Sequence, residues 1–297
     1  RTHAMAQTPK YPLYIVSKGR ADTRLTSKAL ERMETPYHII VEAQEFDEYA
    51  AVIDPGKILI LDQAFKDKYD TFQDTPNITS TGSGPARNFA WEHSIKAGFD
   101  RHWVMDDNIR HFYRLHNNLK IVVSDGTVFR AMEDFADRYT NLAMCGPQYH
   151  MFAPRKKKMS PLVMNTRVYS CNLIKNDVDF RWRGRFNEDT DLSLRMLKEG
   201  WCTALFIAFL QGKANTLKMK GGNTDTVYVA GTMPKSMMIV DMHPDVAKLV
   251  WKFGRYHHHV DYRKFKKNKL IRRKGVKIDI EPNEYGMQLQ MRRASDA

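Results

Sequence analysis

The chain has 297 residues, of which 42% are hydrophobic and 11% aromatic, so it can form one large α/β domain or two smaller domains with a real core. No apolar run reaches the ~20 residues of a membrane-spanning helix, which argues against a membrane span. The three cysteines form no CxxC pair, which argues against a disulfide framework and structural zinc. The net charge of +13 is concentrated in residues 248–277, where twelve lysines and arginines face one acidic residue; this favours a polyanionic partner, nucleic acid first, over a solvated basic tail.

The first part of the chain alternates between apolar runs and helical patterns. We interpret residues 1–10 as a tag remnant and a disordered start, because Arg1–Ala4 before Met5 resemble a cloning scar. The predicted strands are 11–17, 37–41 and 57–61, and the predicted helices are 26–33 and 45–51. Strand–helix–strand alternation at this spacing predicts a largely parallel sheet covered by helices.

The remaining elements follow the same alternation. The predicted loops are 70–85, Arg155–Lys158 and 212–226. The predicted helices are 86–97, 127–141, 188–199 and a helix that runs from Pro244 to about Phe253. The predicted strands are 102–105, 143–152, 167–174 and 201–210.

Two carboxylates and an amide, Asp106, Asp107 and Asn108, follow the apolar strand that begins at His102. Ligands bind at the carboxyl edge of open α/β sheets, and Mg²⁺ or Mn²⁺ often bridges carboxylates to substrate phosphates. The triplet therefore suits a nucleotide-sugar donor, whose diphosphate gains charge as it leaves. The alternative is a turn, because Asp and Asn at strand ends hydrogen-bond to their own backbone.

Two helix starts add to this pattern. Arg87 and Asn88 stand at the start of the helix before the acidic strand, where free N–H groups favour phosphate, although a capped surface helix is the alternative. Glu188 and Asp189 open a later helix and are candidates for a general base on an acceptor hydroxyl. The helix dipole also favours acids in a first turn, so a structural role remains the alternative there.

Taken in order, these pieces resemble the GT-A glycosyltransferases. The chain matches them in the Ser17–Arg20 loop, the Arg-Asn helix, the acidic triplet at the DxD position and the acidic pair at the acceptor side. More closely, it resembles the TET- and base-J-associated glycosyltransferases, which are inferred to glycosylate hydroxymethylated pyrimidines in DNA. That resemblance rests on Gly221–Thr224, Gly254–His258 and Val260–Tyr262.

The resemblance implies a GT-A type α/β fold, in which helices flank a mostly parallel mixed sheet. It implies a catalytic domain over residues 11–235 and a basic, helical C-terminal extension over 236–297 that packs on it and contacts nucleic acid. The implied reaction uses a UDP-sugar with Mn²⁺ or Mg²⁺, and the implied acceptor is a 5-hydroxymethylpyrimidine, hydroxymethylcytosine first, in DNA. The expected location is the cytoplasm, which is that of the host cell for a phage-encoded protein.

Residue roles carry over by position. The implied donor-binding residues are Ser17, Gly19, Arg20, Arg87, Asn88, Asp106 and Asp107. Asp189 or Glu188 is implied as the catalytic base, or as the group that orients the acceptor. Asn108 departs from the family pattern at the usual metal-ligand position, and an amide oxygen binds Mn²⁺ or Mg²⁺ more weakly than a carboxylate. Asp106, Asp107 or a distant histidine would then share the ligation.

The candidate histidines are His257, within the run of three at 257–259, and His243 before Pro244. Three adjacent side chains in a regular element point apart, so at most one or two of the run can face a single site. A structural role for each individual histidine is the alternative.

Two basic groups are candidates for contacts with nucleic acid. Cations at this density contact phosphates and position a duplex, and a base in a duplex must be flipped out before its hydroxyl can react. Trp182 is a candidate stacking or wedge residue in that step. The predicted nucleic-acid-binding residues are Arg181, Trp182, Arg183, Arg263, Lys264, Lys266, Lys267, Arg272 and Arg273.

Three other functions compete with sugar transfer to DNA. A GT-A enzyme can act on a protein, a glycan or RNA, and the departure at Asn108 also fits a catalytically dead homologue that binds nucleic acid. A nucleotidyltransferase ranks below these, because no third carboxylate is placed to hold a second metal ion.

Overall fold

A computed structural model describes residues 7–72, 80–153, 160–214, 233–278 and 281–287. Its strands are β1 (Leu13–Val16), β2 (His38–Val41), β3 (Ile58–Ile60), β4 (Arg101–Asp106), β5 (Ile109–His116), β6 (Leu119–Val122), β7 (Leu142–Tyr149), β8 (Leu162–Met164), β9 (Cys171–Lys175), β10 (Cys202–Lys213), β11 (Ala247–Lys252) and β12 (Arg255–Val260). Its α-helices are α1 (Leu25–Arg32), α2 (Phe46–Ala50), α3 (Gln63–Asp67), α4 (Gly84–Lys96), α5 (Thr127–Ala136), α6 (Glu188–Lys198) and α7 (Met233–Met242).

The first ten strands form one mixed sheet in the order β3-β2-β1-β4-β9-β7-β10-β5-β6, with β8 paired to β10. β3, β2, β1 and β4 are parallel, and so are β7 and β10. β9, β5 and β8 run antiparallel to their neighbours. The predicted α/β fold class is therefore confirmed, with a mostly parallel sheet flanked by helices.

The strand period of two divides the core between the two faces of this sheet. Ile15 lies in one buried cluster with Leu30 of α1 and Met132 of α5. Its neighbour Tyr14 lies in a second cluster with Trp91 of α4. Successive side chains of a strand point to opposite faces, so a strand that is apolar throughout needs helices on both sides.

The register of β1 and β4 decides where the polar strand ends emerge. Val16 lies opposite Asp106 in this parallel pair. Ser17 and Asp107, the next residue of each strand, therefore leave the sheet side by side at its carboxyl edge. This edge is where the candidate site is built.

The C-terminal part differs from its prediction. The helix predicted from Pro244 to about Phe253 is wrong, because β11 and β12 form an antiparallel hairpin there. Phe253 and Gly254 both have positive φ, 52° and 73°, which suits a tight two-residue hairpin turn. The hairpin formed by β5 and β6 was not predicted either, since a polar, half-exposed ribbon lacks a strong apolar pattern.

The residues after α7 pack on the rest of the fold. A third buried cluster joins Phe186 and Leu194 to Ile239 of α7 and to Phe265. Residues 7–10, which fall in the predicted disordered start, also make contacts, since the Lys10 backbone N donates to Glu133 at 2.7 Å. The domain boundary near residue 235 stays a prediction. The predicted loop at Arg155–Lys158 and the family motif Gly221–Thr224 lie outside the described residues.

Across the described ranges, the structure contains no helix that is both long and apolar enough to cross a membrane.

Candidate active site

A cleft opens at the carboxyl edge of β1 and β4 and extends to the start of α6. It collects residues that are far apart in the sequence. The predicted site residues that line it are Ser17, Arg20, Arg87, Asp106, Asp107, Asn108, Glu188 and Asp189. Because ligands bind at this edge of open α/β sheets, the cleft is the candidate active site.

Asp107 and Arg20 form a buried ion pair at the β1 side of the cleft. The Nη1 atom of Arg20 donates to Asp107 Oδ1 at 2.6 Å, and the Ser17 hydroxyl donates to Asp107 Oδ2 at 2.7 Å. Burial raises the pKa of Asp107, and Arg20 and Ser17 offset only part of that rise. The pair fixes the loop that follows β1, where a nucleotide is predicted to lie.

Asp106 is held between two cations. Its Oδ1 accepts from Arg87, and the Lys213 ammonium lies 2.7 Å from its Oδ2. Burial raises the pKa of Asp106, but Lys213 and Arg87 lower it by more, so this carboxyl is ionised. The same contact keeps Lys213 charged, because burial lowers its pKa and Asp106 more than restores it.

Lys213 reaches the cleft through an irregularity at the end of β10. The pairing between β10 and β5 shifts register between Gly212 and Lys213, so Lys213 lies opposite Ile109. A bulge of this kind changes the direction of a side chain, and bulges are common next to active sites. The strand thus places a cation on the same side as Asp106.

The described residues do not fit a divalent cation well. Asn108 is buried at 1% exposure, and its Nδ2 donates to the Ala214 carbonyl at 3.1 Å. Asp106 and Asp107 are both paired with cations. In the described part of the chain, no three or more His, Cys, Asp or Glu side chains come together as a metal-binding group. The Mn²⁺ or Mg²⁺ site stays a prediction.

Ser170 joins the acidic helix start to the cation side of the cleft. Its hydroxyl bonds to the Tyr149 hydroxyl at 2.5 Å and accepts from Lys213 at 2.9 Å, and its backbone N donates to Asp189 Oδ2 at 3.0 Å. Ser170 has a φ of 66° and Asn187 a φ of 53°. Left-handed backbone at non-glycine residues costs energy and tends to occur at functional sites.

Glu188 is a buried carboxyl of the cleft whose pKa is raised to near neutrality. Burial raises its pKa to about 7, the charge of Asp189 adds to the rise, and Arg87 opposes it. No donor from the described ranges bonds to its Oε1 atom. A carboxyl with a pKa near neutrality can take a proton from an acceptor hydroxyl and release it again.

Comparison with known families agrees with this geometry. The model of the TET-Associated Glycosyltransferase family matches residues 11–222, which contain every cleft residue named above. The chain belongs to this family. No curated protein matches the chain at a level that shows a relative. The family assignment and the predicted resemblance thus agree, and the chain is a glycosyltransferase.

Asn88, Trp182 and Gly19 are not among the residues that line the cleft. Asn88 exchanges two hydrogen bonds with the backbone of Trp182, at 3.1 and 2.9 Å. Trp182 is 2% exposed and packs in the core, so it cannot act as a wedge in DNA, and that prediction is wrong. Gly19 donates to Glu45 at 3.0 Å in an exposed turn. Donor contacts by Asn88 and Gly19 have no support from their positions.

A buried ion network accounts for two further candidates. Asp191 of α6 is fully buried and accepts hydrogen bonds from Arg183 and from His243, whose Nε2 lies 2.7 Å away. It also forms an ion pair with Arg195 at 2.9 Å. The other ring nitrogen of His243 lies 2.8 Å from the Lys198 ammonium. His243, the residue after α7, therefore holds α6 against α7, and Arg183 holds α6 to the loop that precedes it. Both ring nitrogens of His243 are engaged in this network, so its position does not support metal ligation, which stays a prediction.

We expect Asp191→Ala to lower the free energy of unfolding by about 3 kcal/mol, because it leaves the arginines of this network without their carboxylate. Burial raises the pKa of Asp191, but His243, Arg183 and Arg195 lower it by more. This stabilisation is thus complete above a pH of about 4 and is lost as the pH falls below it. Urea unfolding at several pH values measures the effect. Asp177→Ala, at an exposed ion pair with Lys175, is the control and should change stability by less than about 0.5 kcal/mol; an equal loss contradicts the prediction.

The run of three histidines points in alternate directions on β12. The Nε2 atom of His257 lies 3.1 Å from the Lys252 carbonyl near the hairpin turn, which does not place it at the cleft. His258 faces the other way. Burial lowers its pKa to about 4, and the charges of Arg167 and Lys235, both cleft residues, add to the effect. Within the run of three, His258, which the sequence did not single out, is thus the histidine on which charges of cleft residues act.

The remaining basic candidates differ in their surroundings. Arg181 pairs with Glu92 at 3.0 Å, and Lys264 and Arg263 pair with Asp245 and Asp261. The other predicted residues, Lys266, Lys267, Arg272 and Arg273, are exposed. A role of these exposed cations in binding nucleic acid stays a prediction.

Sequence reasoning missed several cleft residues: Tyr149, Arg167, Ser170, Lys213 and Lys235. Tyr149 and Lys213 are the last residues of β7 and β10, which run parallel to each other. The predicted strands end elsewhere, at 152 and 210, so nothing in the sequence indicated that these two residues stand at strand ends. Arg167 and Lys235 lie in segments with no pattern that points to the cleft.

Proposed function

We propose that this glycosyltransferase moves a sugar from a UDP-sugar to the hydroxyl of a 5-hydroxymethylpyrimidine, hydroxymethylcytosine first, in DNA. The observation that carries the proposal is that one cleft holds a carboxyl with a pKa near 7, Glu188, and a charged ammonium, Lys213. Sugar transfer needs a base for the acceptor and a positive charge for the leaving group. The exposed cations near the C-terminus support DNA as the acceptor.

The donor is proposed to lie along the carboxyl edge of the sheet. Ser17 and Arg20 line the part beside β1, where the uridine fits. Asp106, which is ionised, accepts hydrogen bonds from hydroxyls of the ribose or sugar. Lys213, Arg167 and Lys235 also line the cleft and supply positive charge for the diphosphate.

The proposed transfer uses Glu188 as the base. The acceptor hydroxyl gives its proton to Glu188 while its oxygen bonds to the anomeric carbon of the sugar. The bond between that carbon and the diphosphate oxygen breaks, and UDP leaves with the electron pair. Lys213 stabilises the charge that develops on UDP, as fixed cations do in a site from which water is partly excluded. Asp189, held by the Ser170 backbone, positions the acceptor.

Mass spectrometry of nucleosides tests this function directly. DNA that contains hydroxymethylcytosine or hydroxymethyluracil is incubated with the protein and a panel of UDP-sugars, then digested. We expect one modified nucleoside to gain the mass of a hexose or pentose, and unmodified DNA to gain nothing. If no nucleoside gains mass but UDP is released with a protein, glycan or RNA acceptor, the DNA acceptor is wrong. No binding of UDP at all favours a catalytically dead homologue.

A further inference from the structure

The hairpin of β11 and β12 carries large aromatic side chains in open solvent. Trp251 is 61% exposed, Tyr256 45% and Phe253, in the turn, 94%. Trp251 and Tyr256 contact each other edge to face, with ring centroids 4.8 Å apart. Exposed aromatic side chains that adjoin one another mark interaction surfaces more often than single exposed residues do.

The pairing of the two strands sorts the side chains onto two faces. Trp251 lies opposite Tyr256, and two residues along, Leu249 lies opposite His258 on the same face. The other face carries cations, since Lys252 lies opposite Arg255. The hairpin is therefore a two-stranded ribbon with an aromatic face, a basic face and Phe253 at its end.

The aromatic face begins at the rim of the cleft. α7 packs against both strands of the hairpin, and Lys235 of α7 lines the cleft. His258 lies close enough to Arg167 and Lys235 for their charges to act on it. From His258 to the turn at Phe253 the ribbon extends roughly 15 Å, at about 3.4 Å per residue. A ligand seated in the cleft mouth can thus extend along this face.

Aromatic rings among cations are the pattern that binds nucleic acid. Bases stack on aromatic side chains with little regard to sequence, while Lys and Arg contact the phosphates. A two-stranded ribbon also fits the major groove of a duplex, which is about 12 Å wide. The cations at positions 248, 252 and 255 match the charge of such a partner better than that of a lipid bilayer core or an apolar peptide.

We propose that the β11–β12 hairpin binds the DNA acceptor beside the target base, with Trp251, Phe253 and Tyr256 against the bases and Lys248, Lys252 and Arg255 at the phosphates. The choice of DNA rests on the proposed function. The hairpin lies within the basic stretch 248–277, but none of its residues is among the individual positions predicted to bind nucleic acid, which fall within 181–183 and 263–273.

Binding to a short labelled single-stranded oligodeoxynucleotide without modified bases, followed by fluorescence anisotropy with no nucleotide sugar present, tests the inference. We expect Trp251→Ala to raise Kd about tenfold through the loss of one stacking ring, and Trp251→Phe to keep Kd within about threefold of the wild-type value. Lys252→Ala should raise Kd and lower the slope of log Kd against log salt by about one, whereas Trp251→Ala leaves that slope unchanged.

Leu119→Ala is the matched control, because Leu119 is 63% exposed on the hairpin formed by β5 and β6. It should leave Kd unchanged, and thermal unfolding should show that every variant is folded. A Kd within about twofold of wild type for folded Trp251→Ala overturns the inference, and so does an equal loss for Leu119→Ala. The assay requires no sugar transfer, so a protein that binds through Trp251 but modifies no base refutes the proposed function alone.

Discussion

Replacement of Lys213 by alanine is expected to lower kcat for sugar transfer by about 10²–10³-fold, with a smaller change in KM for the acceptor. Lys213 is one of the two cations that contact Asp106 in the cleft, and removal of one fixed electrostatic group from a transition state costs about this much. Steady-state rates at saturating UDP-sugar measure the effect. Lys213→Arg should recover part of the rate, because the charge remains while its geometry changes.

Lys175→Ala is the control for this substitution. Lys175 also ends a strand, but β9 runs antiparallel to β4, so Lys175 lies opposite Arg101 at the other edge of the sheet. Its loss should leave kcat within about twofold of wild type. A fall in kcat of the same size for both variants would show that the Lys213 effect is structural.

The same assay separates the charge of Lys213 from that of a metal ion. If fixed cations stabilise the diphosphate, turnover should persist when a chelator replaces Mn²⁺ or Mg²⁺, and the Lys213→Ala defect should be the same with or without metal. Turnover that stops in chelator and returns with Mn²⁺ would instead support the metal site predicted at Asn108.

Glu188→Gln should lower kcat by about 10²–10⁴-fold while the affinity for UDP changes little, because the variant keeps the shape of the side chain but cannot accept a proton. The wild-type kcat should rise with pH through about 7, the pKa of Glu188, since the base must be ionised. This rise should be absent in the variant. Stopped-flow or quenched-flow transfer rates over a pH series, together with UDP calorimetry, measure both effects.

The contribution of Glu188 to the stability of the fold should fall as the pH rises, whereas kcat should increase. The folded pKa of Glu188, about 7, lies above the ordinary value of 4.5, so its contribution to stability is complete below pH 4.5 and is lost as the pH rises through 7. The melting temperature of Glu188→Gln should therefore be higher than that of the wild type near pH 8, by about 2–4 °C for each kcal/mol of stability recovered. Near pH 4.5 the variant and the wild type should have the same melting temperature. A variant that loses stability at high pH contradicts this view of Glu188.

Glu133→Gln is the control for the pH series. Burial raises the pKa of Glu133 to about 7 as well, but this carboxylate accepts from the backbone of Lys10 and from the Trp103 ring, outside the cleft. The rise of kcat with pH should survive in this variant. Its loss would show that the pH dependence reflects the stability of the fold and not the base in the cleft.

The position of the cleft was predictable from the sequence because it depends on local patterns. A strand that is apolar until Met105 and then acidic, and a helix that opens with Glu188 and Asp189, each place polar groups without knowledge of the fold. Parallel strands then bring such ends to one edge. The alternation of strands and helices predicted the α/β class with a largely parallel sheet, and the resemblance to the GT-A glycosyltransferases implied its type.

The rest of the site depends on pairing between distant segments. Lys213 reaches Asp106 only because β10 pairs with β7 and shifts its register against β5. The structural roles of His243 and Trp182 arise from contacts with Asp191 and Asn88, which sequence spacing does not indicate. The hairpin after Pro244 was mistaken for a helix, because over so short a run its apolar residues fit both the helical and the strand periodicity.

The bulge at Gly212 and Lys213 limits how the gene for this protein can change. Side chains alternate along a strand, so deletion or insertion of a single codon within the last residues of β10 would turn Lys213 to the opposite face of the sheet. The turn between β5 and β6, at Asn117 and Asn118, lies at the surface and can vary in length without such an effect. We therefore expect libraries of random insertions and deletions to retain transfer activity when the change falls in this turn and to lose it at the end of β10.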